Sequence, residues 1–140
     1  MEAYPMPLFV KLSVNNMESS LNWYKEVLHF DSVFELPDGD GNTIMAHIRG
    51  NKYQDIMLVS EKIDQESTGK GIVLNFTVED IESYAERASK MCANVIEGPI
   101  ERPWNARELF LCDPDGYVIT LSMQIDQTKT MNDIVDQVKA

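Results

Sequence analysis

Two histidines, two cysteines and no surplus of basic side chains set the first limits on this chain of 140 residues. Twelve Lys and Arg stand against 23 Asp and Glu, a net charge of −11. A surface that tracks phosphates needs a basic excess, so nucleic acid and anionic membranes are not expected partners. The acidic surplus either keeps the surface soluble or favours a cationic ligand, and both readings stand. Cys92 and Cys112 form no C-x-x-C and no disulfide framework; they are expected as reduced, mostly buried thiols. No apolar stretch approaches the length of a membrane span. The N-terminal MEAYPMPLF has no basic region leading into a long apolar run, so no signal peptide is expected and the location is read as cytoplasmic. G-x-S-x-G, the P-loop and the Rossmann glycine pattern are all missing.

What is present reads as a globular chain, 44% hydrophobic and 25% charged. Its length fits one domain over 1–140, enough to bury a core without staples. Charge is uneven: residues 1–62 carry 5 basic and 9 acidic side chains, and residues 63–127 carry 5 and 12.

The chain repeats itself. Leu8–Val14 alternates, with Val10, Leu12 and Val14 on one face and Phe9, Lys11 and Ser13 on the other. Ile72–Val78 does the same, with Ile72, Leu74, Phe76 and Val78 against Val73, Asn75 and Thr77. Such alternation is the pattern of a half-buried strand. Each strand leads into a helix start, with Asn16 and Asp80 as N-caps and Glu18 and Glu82 in the first turns. Met17, Leu21, Tyr24 and Leu28 form one apolar stripe, and Ile81, Tyr84, Ala85 and Ala88 its counterpart. Trp23, inside the first helix, is expected in the core. SVNNMES matches TVEDIES at a spacing of 64 residues. That is too long for a solenoid repeat and fits a duplicated half-domain.

Three strands follow each helix: Ser32–Leu36, Thr43–Arg49 and Ile56–Ser60, then Asn94–Ile96, Arg107–Leu111 and Val118–Met123. Gly98-Pro99 is expected to break the chain, and Asp113-Pro114-Asp115-Gly116 to make the last turn. Each half reads βαβββ, over 7–62 and 71–124. The tail 128–140 reads as a helix capped by Thr130, with Met131, Ile134, Val135 and Val138 on one face to pack on the domain or a second subunit.

Paired βαβββ modules resemble the vicinal oxygen chelate superfamily, which includes glyoxalase I, extradiol dioxygenases, and fosfomycin- and bleomycin-resistance proteins. SLNWYKEVLHF looks like its first-helix motif. ERPWNARELFLCDPDGYVITL is similar to the Pro-Trp-Gly-x-Arg-Glu-Phe…Asp-Pro-x-Gly-Asn segment of bleomycin-resistance-like proteins. Asn105 stands where Gly often follows the Trp, and Tyr117 replaces the Asn after the turn. The resemblance implies an α+β fold, two βαβββ modules forming a cup-shaped mixed sheet plus the C-terminal helix, and a homodimer with two equivalent grooves.

Catalytic members hold a divalent metal with His, Glu and Gln at four inward positions. Carried onto this chain, those positions fall at Phe9, Met57, Val73 and Thr120, none a useful ligand. No metal and no other cofactor are therefore expected, and catalysis is disfavoured. His29 ends the first helix and reads as structural or exposed. His47 is either a hydrogen-bonded strand side chain or a residue lining the cup. Cys112 would be a nucleophile only with a basic neighbour such as Arg107.

A binding cup remains. Trp104, on a polar loop, suits stacking on a planar or cationic ligand. By the resemblance it belongs to a drug groove; otherwise it closes the core or a dimer interface. Phe34 and Ser60 fall at places that resemble groove positions. Asn75, His47 and Phe9 join them as lining candidates, and Glu101, with Glu35 and Glu97, as attraction for a cation. Arg107 and Glu108 read as support for the Trp104 loop. The leading expectation is a metal-independent protein that captures a small antibiotic-like molecule. An enzyme with an atypical metal site and a non-catalytic interaction module are the rivals.

Overall fold

The computed structural model describes residues 4–6, 8–51, 53–64 and 66–140. Pro7 and Lys52, inside the first predicted module, lie outside the described residues. The chain divides into two compact units, Met1–Thr68 with Pro114–Gly116, and Gly69–Asp113 with Tyr117–Ala140.

The first unit contains β1 (Val10–Val14), α1 (Met17–Leu28), β2 (Asp31–Pro37), β3 (Thr43–Arg49) and β4 (Asp55–Ser60). The strands lie in the order β1-β4-β3-β2, with β1 and β4 parallel and the other pairs antiparallel. Asn16 opens α1 by accepting from Ser19 N at 3.0 Å. His29 closes it with φ 57° and its N–H on the carbonyl of Lys25. That left-handed step turns Phe30 into the core. Leu12 and Val14 of β1, Ala46 and Ile48 of β3, and Ile56 and Leu58 of β4 are buried on the face toward α1, against Tyr24, Val27 and Leu28. Trp23 is only half-buried, edge-on to Tyr24. The ring predicted for the core is displaced from it because Tyr24, one position on, occupies the inward stripe.

The second unit repeats this order with β5 (Val73–Thr77), α2 (Ile81–Lys90), β6 (Asn94–Arg102), β7 (Ala106–Cys112) and β8 (Val118–Gln124), and adds α3 (Met131–Lys139). The sheet order is β5-β8-β7-β6, again with its first pair parallel. Ile81 and Ala88 of α2 pack with Leu109, Leu111, Ile119 and Leu121. Asp80 caps α2, as the sequence predicts.

Several expectations change. β6 does not stop at Ile96: it runs through Gly98-Pro99 to Arg102 with register shifts between Val95 and Ile100. The Gly98–Pro99 peptide is cis and Gly98 has φ 100°. A Cβ on Gly98 would stand 2.4 Å from the carbonyl oxygen of Glu108, so only glycine lets β7 approach here. Cys92 is exposed rather than buried, at φ 52° just past α2. The capping box of α3 forms through Thr130 and Asp133, yet none of its residues is buried.

The predicted turn at 113–116 has a second use. Asp115 accepts from Asn15 N at 3.1 Å and from the Ser20 hydroxyl at 3.3 Å. A carboxylate is thereby fixed at the positive end of α1. Among the described residues, no helix is long and apolar enough to cross a membrane.

Candidate functional site

In each sheet the helix packs against one face, and the opposite face gathers polar side chains. On the second unit that face presents alternate residues: Asn75 of β5, Thr120 and Ser122 of β8, Glu108 and Phe110 of β7, and Glu97 and Arg102 of β6. They converge on Glu108, which is 8% exposed. One of its oxygens accepts from Arg102 Nε at 3.1 Å. The other accepts from Trp104 Nε1 at 3.3 Å and lies 3.1 Å from Ser122 Oγ. Ser122 Oγ also lies 3.0 Å from Asn75 Oδ1. Arg102 reaches Glu97 with a second nitrogen at 3.1 Å. Its guanidinium sits 5.9 Å from the Trp104 ring centre and 5.3 Å from that of Phe110. The bonds to Glu97 and Glu108 hold Arg102 above its ordinary pKa, so its charge is permanent and internally balanced.

Trp104 remains 47% exposed although its N–H is satisfied. The indole is thus oriented by its polar edge while part of its surface faces solvent. The loop that carries it is set by Asn105, which has φ 62° and is buried. Asn is among the few residues that tolerate this left-handed region, so it substitutes for the Gly of the related motif. Asn105 Nδ2 donates to the carbonyl of Asp126 at 2.8 Å, and Asp126 N donates back to its Oδ1 at 2.9 Å. Those two bonds clamp the loop to the end of β8.

The predicted site residues fall into separate groups. Trp104 and Asn75 share the Glu108 network. Phe34 and His47 are register partners on the helix-free face of the first unit, and Phe34 is 56% exposed. Phe9 precedes β1 and is partly exposed. His47 Nε2 is 3.0 Å from Asp55 Oδ1, in the place of a hydrogen-bonded strand histidine. Asp55 also accepts from Arg49 Nε at 2.6 Å and from the Tyr4 hydroxyl. Burial pushes the Asp55 carboxyl up, but the bonds from Tyr4, Arg49 and His47 outweigh it and hold the pKa below the ordinary range. Ser60 and Glu101 lie on the other side. Ser60 pairs in register with buried Val14, and Glu101 pairs with Arg107, whose Nε reaches Glu82 of α2 at 2.6 Å. The strand period of two turns both away from the helix-free faces.

Ser60 instead lines a cleft of about 650 Å³ beside the start of α1. Glu18, Glu35, Asp38 and Asn42 share that lining, which contains no aromatic ring. It is remote in character from the Trp104 network, and a polar opening without a platform gives a planar ligand little to stack on.

The four related positions do not fit a resident divalent metal. Of the four related positions, Phe9 and Val73 supply only hydrocarbon, Met57 only a thioether, and Thr120 is buried as a neutral hydroxyl. Among the described residues no group of three or more His, Cys, Asp or Glu side chains is placed to hold an ion. Cys112 gains no basic activator: burial, then Asp113, pushes its thiol up, and Arg107 points to the helix side.

Sequence reasoning passed over Arg102 and Phe110. The signal is the alternation of the β6–β7 hairpin, obscured because Gly98-Pro99 reads as a break.

A family model described as Glyoxalase/Bleomycin resistance protein/Dioxygenase superfamily matches residues 8–121. No curated protein matches the sequence. Among solved structures, TnmS3, an antibiotic binding protein from Streptomyces sp. CB03234, superposes with TM-score 0.67 at 22% identity, over 89% of this chain and 99% of that one. A glyoxalase/bleomycin resistance protein from the same Streptomyces gives 0.63 at 23% identity, over 81% and 96%. The fosfomycin resistance protein FosX from Listeria monocytogenes gives 0.70 at 12% identity, over 91% and 95%. At these identities the likeness is one of fold.

Proposed function

We propose that this chain, which belongs to the Glyoxalase/Bleomycin resistance protein/Dioxygenase superfamily, is a metal-independent binding protein that captures a planar or cationic antibiotic-like molecule in a groove of a homodimer. The observation that carries this reading is Trp104: half-exposed, with its N–H already held by Glu108. A preoriented aromatic surface binds a flat ligand without first losing side-chain freedom. Glu97, half-exposed beside Arg102, adds negative potential for a cation. The four metal-related positions lack a donor set, so no catalytic step is assigned. Protection by such a protein is stoichiometric and follows affinity and copy number. The antibiotic-binding description of TnmS3 is in keeping with this reading.

The test is a fluorescence titration with metal-free bleomycin, repeated on Trp104→Phe. Saturable quenching at one drug per subunit, lost in the variant, is the expected result. Resistance that requires turnover of the drug, or tight uptake of one Zn, Ni, Fe or Mn per subunit, would overturn it in favour of an enzyme.

A second reading draws on α3, whose apolar residues Met131, Val135 and Val138 are all exposed. An isolated helix of nine residues is marginal in water, so this one suits a partner surface. Deleting residues 128–140 separates the two: loss of a protein partner with drug binding intact supports an interaction module.

A further inference from the structure

The polarity of the hydrogen-bond chain from Trp104 to Asn75 decides which edge a ligand meets. Ser122 Oγ lies 3.1 Å from Glu108 Oε2 and 3.0 Å from Asn75 Oδ1. A serine hydroxyl has one proton, so it donates to one of these oxygens and turns lone pairs to the other. Glu108 already accepts from Arg102 Nε and Trp104 Nε1, both groups that only donate. A carboxylate in that position draws the hydroxyl proton more strongly than an amide carbonyl does. Ser122 therefore donates to Glu108. The lone pairs left toward Asn75 call for a donor, and a half-turn of the amide supplies one by exchanging its nitrogen for its oxygen. Asn75 Nδ2 then donates to Ser122, and the amide oxygen faces outward from an exposed residue.

The two donors that flank Glu108 are engaged in the same network. The Trp104 N–H is on Glu108, and the Arg102 guanidinium is divided between Glu97 and Glu108. Beside them the outward Asn75 oxygen is left as an acceptor on an exposed residue.

We infer that Asn75 is the specificity-determining residue of this face: its outward carbonyl selects a planar molecule bearing an N–H or O–H donor at its edge over the same molecule without one. The inference rests on the capture reading, to which it adds the hydrogen-bonding class of the ligand.

The experiment uses the full chain in a Trp23→Phe background, so that emission comes from Trp104 alone. Benzimidazole, with one N–H, is titrated against 1-methylbenzimidazole, in which a methyl replaces that proton. The native Asn75 protein should bind the N–H probe about three- to tenfold more tightly, the range of one hydrogen bond. Asn75→Asp, which keeps an acceptor, should retain the preference, and Asn75→Leu should abolish it. Equal affinity for both probes, or a preference that survives Asn75→Leu, overturns the inference. If bleomycin still quenches Trp104 in that case, capture stands without it. No quenching of Trp104 by either probe or by bleomycin overturns both.

Discussion

Trp104 and Glu108 are joined by a 3.3 Å bond from the indole Nε1 to a carboxylate oxygen, so the most exposed aromatic surface of the motif is fixed by one of its most buried charges. The motif residues Trp104 and Glu108 are therefore one device. The carboxylate orients the ring, and Arg102 balances the carboxylate.

Trp104→Phe removes the bond and part of the stacking surface while leaving the fold intact. For metal-free bleomycin we expect a loss of roughly 2 kcal/mol, about thirtyfold in Kd, as for a central aromatic anchor. Isothermal titration calorimetry reads this directly, and an unchanged Kd would place the ligand elsewhere.

Asn105 tests how the loop is held. Asn105→Ala keeps the left-handed φ of 62° but loses both side-chain bonds to Asp126. The strained backbone and the lost bonds together cost about 2–3 kcal/mol. Asn105→Gly relieves the strain and loses only the bonds, so urea unfolding should find it the more stable variant.

Asp55 gathers Tyr4, His47 and Arg49. Asp55→Ala removes the buried carboxylate that accepts from Tyr4, His47 and Arg49, at a cost of about 3 kcal/mol. The pH dependence has a fixed sign. A carboxyl held below its unfolded value of 3.8 stabilises the fold above that pH and loses its contribution as pH falls through the lower folded pKa. Acid unfolding of the native protein should steepen below about pH 4, and Asp55→Asn should blunt that limb.

Asp115 is predicted to matter for stability rather than for binding. Asp115→Ala leaves the Asn15 N–H and the buried Ser20 hydroxyl without their acceptor. We expect a loss of about 1–3 kcal/mol in thermal or urea unfolding, with bleomycin affinity measured at saturating folded protein unchanged.

Much of this molecule was legible in one dimension. Alternation over Val10–Val14 and Val73–Thr77, the caps Asn16, Asp80 and Thr130, and the repeat at 64 residues each depend on near neighbours in the chain. Those features place the elements and their order within a residue or two. β6 departs furthest from its expected span, because Gly98-Pro99 reads as a break, and the close approach of β7 that demands Gly98 is not visible locally.

The site divides along the same line. Its residue types could be named from the motif and from the related positions. Which side chains meet was settled by tertiary structure. Strand parity and register brought Asn75, Ser122 and Glu108 together from three strands, and turned Ser60 and Glu101 to the helix side. Residue 47 was known to be a histidine, but its partner Asp55 lies across a hairpin. Local periodicity is a property of the chain alone; partnership depends on register and twist, which are fixed only when each helix packs against one face of its sheet.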